Sequence, residues 1–150
     1  SSDLLPHPKK MDIAVPANLK CGQPLGTLTQ IDEPRWGALT FTFGGIWEIQ
    51  PQALEELSAR VEIIDVREAP EYNGALGHIA GAKLIPLGEL TQRAAEISRE
   101  KPVVAVCRSG ARSAQAVTML TKAGFTQVAN LAGGMLRWRA DGCAVEGGGA

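Results

Sequence analysis

Short apolar runs that alternate with helical patterns constrain the fold of this chain most strongly. Runs typical of buried strands lie at residues 46–49, 61–66, 83–85, 103–106 and 128–131. Patterns typical of helices begin after each of them, from residue 51 and at 68–73, 87–97, 111–123 and 134–140. Alternation of this kind predicts an α/β domain with a central, mainly parallel five-stranded sheet and helices on both faces.

The segment before residue 46 has a different character. Five prolines and little periodicity predict an extended N-terminal arm, because proline removes a backbone donor and favours extended neighbours. Residues 39–43 alternate like a half-buried strand, so we expect the arm to lie against another surface. The glycine-rich end, 147–150, is predicted to be a flexible tail.

Composition excludes several classes of protein. Fifteen Lys and Arg residues against sixteen Asp and Glu give a net charge of −1, which argues against a nucleic-acid partner. No apolar run has the length of a membrane helix, so we expect no membrane partner. Three cysteines without a C-x-x-C pair, with only two histidines, predict no metal site and a reducing, cytoplasmic location.

The strongest chemical signal is the loop that begins at Cys107. The apolar run 103–106 leads into this loop, which then opens a helix. Backbone N–H groups at a helix N-terminus form an anion cradle and favour a thiolate over a thiol, so Cys107 is the predicted nucleophile. Gly110 permits the turn that such a cradle needs. The predicted substrate-binding residues of the loop are Arg108, Ser109, Gly110, Ala111, Arg112 and Ser113.

A second predicted strand ends at the same edge of the sheet. Asp65 and Arg67 lie at its carboxyl end, beside Cys107 if the strands are parallel. We expect Asp65 to brace Arg112 through a paired ionic contact. Arg67 is a candidate for binding and steering an anionic substrate.

Residues 46–146 resemble the rhodanese-like sulfurtransferases. The shared motifs are IDVRE at 64–68 with Tyr72, GHIAGA at 77–82, Ile85-Pro86, the loop 107–113, and LAGG at 131–134 with Trp138, Gly142 and Val145. The resemblance implies a rhodanese-like fold and a covalent persulfide on Cys107, with no other cofactor. Related phosphatases on this fold have a loop one residue longer than the six residues from Cys107 to Arg112.

The first 22 residues resemble a different family. Their L-P-x-P and A-V-P-A-N-x-x-C-G patterns look like the C-terminal end of the persulfide dioxygenases, which use non-haem iron. This resemblance implies a bacterial fusion in which 1–22 is the tail of a missing dioxygenase domain and 23–45 is an interdomain linker. Iron is then expected only in that missing domain.

The two resemblances together predict a thiosulfate sulfurtransferase. Cys107 would accept sulfane sulfur from thiosulfate, release sulfite and pass the sulfur to glutathione, or run from glutathione persulfide and sulfite to thiosulfate. The fused dioxygenase would be the partner domain that uses glutathione persulfide. Two alternatives stay open: a non-catalytic rhodanese-like docking or regulatory module, and a small phosphatase on the same fold.

Overall fold

The computed structural model describes Trp36 and residues 40–147. The predicted dioxygenase tail at 1–22, most of the predicted arm and residues 148–150 lie outside the described residues. Within the described part, a six-stranded sheet runs in the order β1-β2-β6-β5-β3-β4. The strands are β1 (Thr40–Phe43), β2 (Ile46–Ile49), β3 (Glu62–Asp65), β4 (Lys83–Leu84), β5 (Val103–Val106) and β6 (Val128–Leu131).

The predicted α/β architecture with a mainly parallel sheet is confirmed, with one strand more than expected. Strands β2 to β6 pair in parallel, and β1 pairs with β2 in antiparallel register from Thr40↔Ile49 to Phe43↔Ile46. The alternating residues that we assigned to the arm therefore form an edge strand. The physical reason is the short turn at Gly44-Gly45, which returns the chain beside β2.

Within residues 40–147, five helices cover the sheet. They are α1 (Pro51–Leu57), α2 (Ala69–Tyr72), α3 (Leu90–Arg93), α4 (Ala111–Lys122) and α5 (Gly134–Ala140). Short 3₁₀ segments, Ser58–Arg60, Leu87–Glu89 and Ala94–Glu96, complete the helical turns. Among the described helices, none combines the length and the apolar character needed to cross a lipid bilayer.

The core consists of two apolar layers, one on each face of the sheet. Val104 and Val106 of β5 face the layer that contains Trp138 of α5. Val103 and Ala105 face the opposite layer, which includes the apolar side chains of α3 and α4. Because β5 is buried on both faces, its carboxyl end is held rigidly, and Cys107 follows it directly.

Candidate functional site

Cys107 lies between β5 and α4, at the carboxyl edge of the sheet. It is a free cysteine, and only 1% of its surface is exposed. The intervening residues 108–110 form a short loop, and α4 begins at Ala111. The sulfur therefore sits at the N-terminus of a twelve-residue helix, where the helix dipole favours negative charge.

The hydrogen bonds around the sulfur stabilise its anionic form. The Gly110 N–H donates to Cys107 Sγ at 3.0 Å, and the Ser113 Oγ lies 3.3 Å from it. Burial raises the pKa of the Cys107 thiol, but the Ser113 hydroxyl and the backbone amides of Ser113, Gly110 and Ser109 outweigh burial and lower the pKa overall. The loop is thus the predicted anion cradle, built around a thiol that ionises readily.

The cradle depends on Gly110. This residue precedes α4 with a φ of 108°, a backbone conformation that a side chain strains. The turn aims the Gly110 N–H at the sulfur, while its carbonyl accepts a hydrogen bond from Asn130 Nδ2 at 3.2 Å.

The start of α5 packs against the backbone of the Cys107 loop. Met135 N donates to Cys107 O at 2.9 Å, and Leu136 N donates to Arg108 O at 3.0 Å. A Cβ atom on Gly134 would lie 2.5 Å from Arg108 O, so only glycine permits this approach. The adjacent glycines Gly133 and Gly134 at the start of α5 were the signal in the sequence, but we gave Gly134 no part in the site.

Arg112 pairs with Glu71, which corrects the expected partner. Its two terminal nitrogens each donate to the Glu71 carboxylate at 2.8 Å, in the bidentate geometry that we had predicted for Asp65. The hydrogen bonds from Arg112 are the largest effect on Glu71 and hold its pKa at about 2. The prediction missed Glu71 because α2 carries this residue back toward α4 after β3 has ended.

Asp65 instead pairs with Arg67. The Arg67 Nε and Nη2 donate to the Asp65 carboxylate at 2.8 and 2.7 Å, because the backbone turns back immediately after β3. Arg67 also donates to the carbonyls of Glu71 and Gly77. Asp65 therefore supports Arg112 only indirectly, through Arg67 and the backbone of Glu71.

The predicted role of Arg67 in steering a donor does not fit its position. Arg67 is 1% exposed, and its guanidinium is engaged inside the protein. Buried arginine is stabilised by such pairing, and this guanidinium ties the end of β3 to α2, the helix that carries Glu71. It does not present a binding group to solvent.

The outer part of the loop is accessible. Arg108, Ser109 and Ala111 are exposed, and no side-chain hydrogen bond joins Arg108 to another described residue. The guanidinium of Arg112, about one-third exposed, interacts electrostatically with Cys107. Positive charge thus flanks the sulfur where an anionic substrate would approach.

A polar cluster that we did not predict lies behind the sulfur. Asn130 of β6 is 2% exposed; its Oδ1 accepts from Ser113 Oγ, and its Nδ2 donates to Glu48 Oε2 at 3.1 Å. Burial raises the pKa of Glu48, and the hydrogen bond from Asn130 opposes that rise. The only sequence signal was one amide inside the apolar strand β6. Across residues 40–147, no three His, Cys, Asp or Glu side chains cluster as metal ligands.

With this geometry in place, the family is clear. The sequence model of the rhodanese-like domain matches residues 50–141, more than half of the chain. The protein therefore belongs to the rhodanese-like domain family, and the Cys107 loop occupies the site that the fold builds at the end of β5.

Known proteins share this domain across different lengths. The chain is 46% identical over 79 residues to the uncharacterized protein YqhL of Bacillus subtilis, covering 53% of this chain and 61% of that one. It is 36% identical to a sulfurtransferase of Allochromatium vinosum, covering 65% and 92%. The crystal structure of a rhodanese-related protein from Thermoplasma volcanium is 31% identical, with a TM-score of 0.60 and coverage of 65% and 94%.

Proposed function

We propose that this protein is a sulfurtransferase that moves sulfane sulfur between thiosulfate and glutathione through a persulfide on Cys107. The observation that carries the proposal is a free thiol of lowered pKa, held by Gly110 and Ser113 at the N-terminus of α4. The similarity to a sulfurtransferase of Allochromatium vinosum supports the reaction class.

The first half-reaction loads the sulfur. The Cys107 thiolate attacks the outer sulfur of thiosulfate, an S–S bond to Sγ forms, and sulfite leaves with the electron pair of the broken S–S bond. Backbone N–H groups of the loop stabilise the negative charge that the persulfide carries. Arg108 and the exposed part of Arg112 attract the dianionic donor.

The second half-reaction unloads it. A glutathione thiolate attacks the terminal sulfur, glutathione persulfide forms, and Cys107 departs as a thiolate. The lowered pKa of Cys107 makes it a better leaving group in this step as well as favouring the thiolate in the first. The same steps run backward from glutathione persulfide and sulfite to thiosulfate.

The size of the cradle favours sulfur over phosphate. Cys107 to Arg112 is six residues, one fewer than in the related phosphatases, so the amides close around a smaller group. The other alternative is a non-catalytic docking module. Docking does not require an ionisable cysteine in an intact anion cradle, so the Cys107 site favours the enzyme.

The segment 1–22 supports a wider proposal about the whole protein. We propose that this domain is fused to a persulfide dioxygenase, which would consume the glutathione persulfide. A tether raises the effective concentration of a passed intermediate. A reducing cytoplasm would keep Cys107 free between turnovers.

Intact-mass analysis tests the proposal. The reduced protein is treated with thiosulfate and then with glutathione, beside Cys107→Ser as the matched control. We expect the wild type to gain one sulfur atom and to lose it to glutathione, and the variant to gain none. No gain in the wild type would refute thiosulfate as donor; a gain that glutathione leaves in place would refute glutathione as acceptor. Turnover of p-nitrophenyl phosphate would favour the phosphatase.

A further inference from the structure

Cys107 and two polar residues behind its sulfur are almost fully buried. Cys107, Ser113 and Asn130 are 1%, 0% and 2% exposed. Ser113 Oγ lies between the other two: it is 3.3 Å from Cys107 Sγ and hydrogen-bonded to Asn130 Oδ1. Because the Ser113 and Asn130 side chains are buried, the Ser113 hydroxyl finds its hydrogen-bond partners among protein atoms.

The Ser113 hydroxyl has one proton and two neighbouring acceptors. A serine hydroxyl donates a single hydrogen bond, so it serves either Sγ or Oδ1 at any moment. The orientation of the Asn130 amide is set from its other side, because Nδ2 donates to Glu48 Oε2 at 3.1 Å and to Gly110 O at 3.2 Å. Oδ1 therefore faces Ser113 as a fixed acceptor that competes with the sulfur.

We infer that Asn130 is a positioning residue that holds the Ser113 proton while Cys107 Sγ is neutral and yields it when Sγ is anionic. This inference rests on the proposed function, in which Sγ alternates between a thiolate and a neutral, persulfidated sulfur. In the thiol, S–H donates to Ser113 Oγ and the hydroxyl donates to Asn130. In the thiolate, the hydroxyl rotates and donates to Sγ.

A consequence is that Asn130 and Ser113 act on the thiol in opposite directions. The Ser113 hydroxyl stabilises the thiolate by donating to it. Asn130 stabilises the neutral sulfur, because its Oδ1 loses its hydrogen bond whenever Ser113 turns toward Sγ. The pair would therefore set how readily the Cys107 thiol ionises before it attacks the sulfur donor.

Charged groups lie around the sulfur and around this pair. Arg112 of α4 interacts with Cys107 and is paired with Glu71 of α2. Glu48 of β2 lies beyond Asn130, and Arg108 adjoins Cys107 in the chain. Ser113 and Asn130 are both neutral, but Asn130→Ala removes the hydrogen bond that opposes the rise in the pKa of Glu48. That change occurs whether or not Ser113 is present, so a comparison of the two backgrounds cancels it.

A double-mutant cycle tests the inference. The proteins are the wild type, Ser113→Ala, Asn130→Ala and the double variant, and the readout is the midpoint pH for alkylation of Cys107 by iodoacetamide, followed on its peptide by mass spectrometry. We expect Ser113→Ala to raise the midpoint by about one unit, the size of one hydrogen bond to a charged group. Asn130→Ala shifts the midpoint pH by one amount in the wild-type background and by another in the Ser113→Ala background. We expect the first shift to be about half a pH unit lower than the second.

The difference between the two Asn130→Ala shifts is decisive, because it cancels any movement of Gly110 that both backgrounds share. A zero difference, or one of the opposite sign, would overturn the inference. If Asn130→Ala does not fold, Asn130→Val keeps a strand-forming side chain in β6 and serves in the same cycle. Alkylation needs no sulfur donor, so the cycle gives its answer even if thiosulfate fails to load Cys107.

Discussion

Replacing Gly134 by alanine should destabilise the protein through the backbone of the reactive loop. Gly134 has a φ of 60°, and an added Cβ would lie 2.5 Å from Arg108 O and 2.6 Å from Cys107 O. These are backbone atoms, which cannot turn aside as a flexible side chain would. The start of α5 must therefore move away from β5 and its loop.

The expected loss follows from two effects. A non-glycine residue in the left-handed region costs about 1–2 kcal/mol. Movement of α5 also weakens the hydrogen bonds from Met135 N to Cys107 O and from Leu136 N to Arg108 O, each of which contributes about 1 kcal/mol. The free energy of unfolding should therefore fall by about 3–4 kcal/mol, a large part of the about 5–15 kcal/mol typical of a domain.

Gly142→Ala is the matched control. Gly142 follows the other end of α5 with a φ of 83°, and an added Cβ meets nothing within 4 Å. Only the conformational cost of about 1–2 kcal/mol should appear there. Urea unfolding followed by circular dichroism measures both variants. Equal losses, within about 0.5 kcal/mol, would refute the argument from close approach.

Three further predictions concern the charges and the thiol. Glu71→Gln should cost less than about 1 kcal/mol near neutral pH, because the pair with Arg112 is one-third exposed. Since the pKa of Glu71 is lowered to about 2, this difference in unfolding free energy should disappear as the pH falls from 4.5 toward 2; a difference constant over that range contradicts it. Arg67→Met should cost about 3–5 kcal/mol in urea unfolding, because it leaves the buried Asp65 carboxylate unpaired, and a loss below about 1 kcal/mol would argue against this. The rate of Cys107 alkylation should have its midpoint at a lower pH than that of free cysteine, because the amide and hydroxyl hydrogen bonds outweigh burial; a midpoint at or above that of free cysteine would show that they do not.

Local patterns predicted much of the fold. The apolar run before Cys107 and the helical pattern after it are adjacent in the chain, so the order strand, loop and helix followed from neighbouring residues alone. The edge strand β1 was harder to predict. Its alternation was visible, but only the sheet shows that β2 leaves an edge for Thr40–Phe43 to pair with.

Neighbouring residues were enough to predict the reactive loop, because Cys107, Gly110 and Ser113 lie within seven residues at the start of a helix. The tertiary structure decided which side chains support them. Arg112 meets Glu71 from 41 residues away, and Asn130 meets Glu48 from 82 residues away. A charged or polar side chain such as that of Arg112 or Asn130 needs a partner, but the sequence offers several possible partners for each. The choice depends on where α2, β2 and β6 lie around the sulfur, which periodicity within a single segment does not encode.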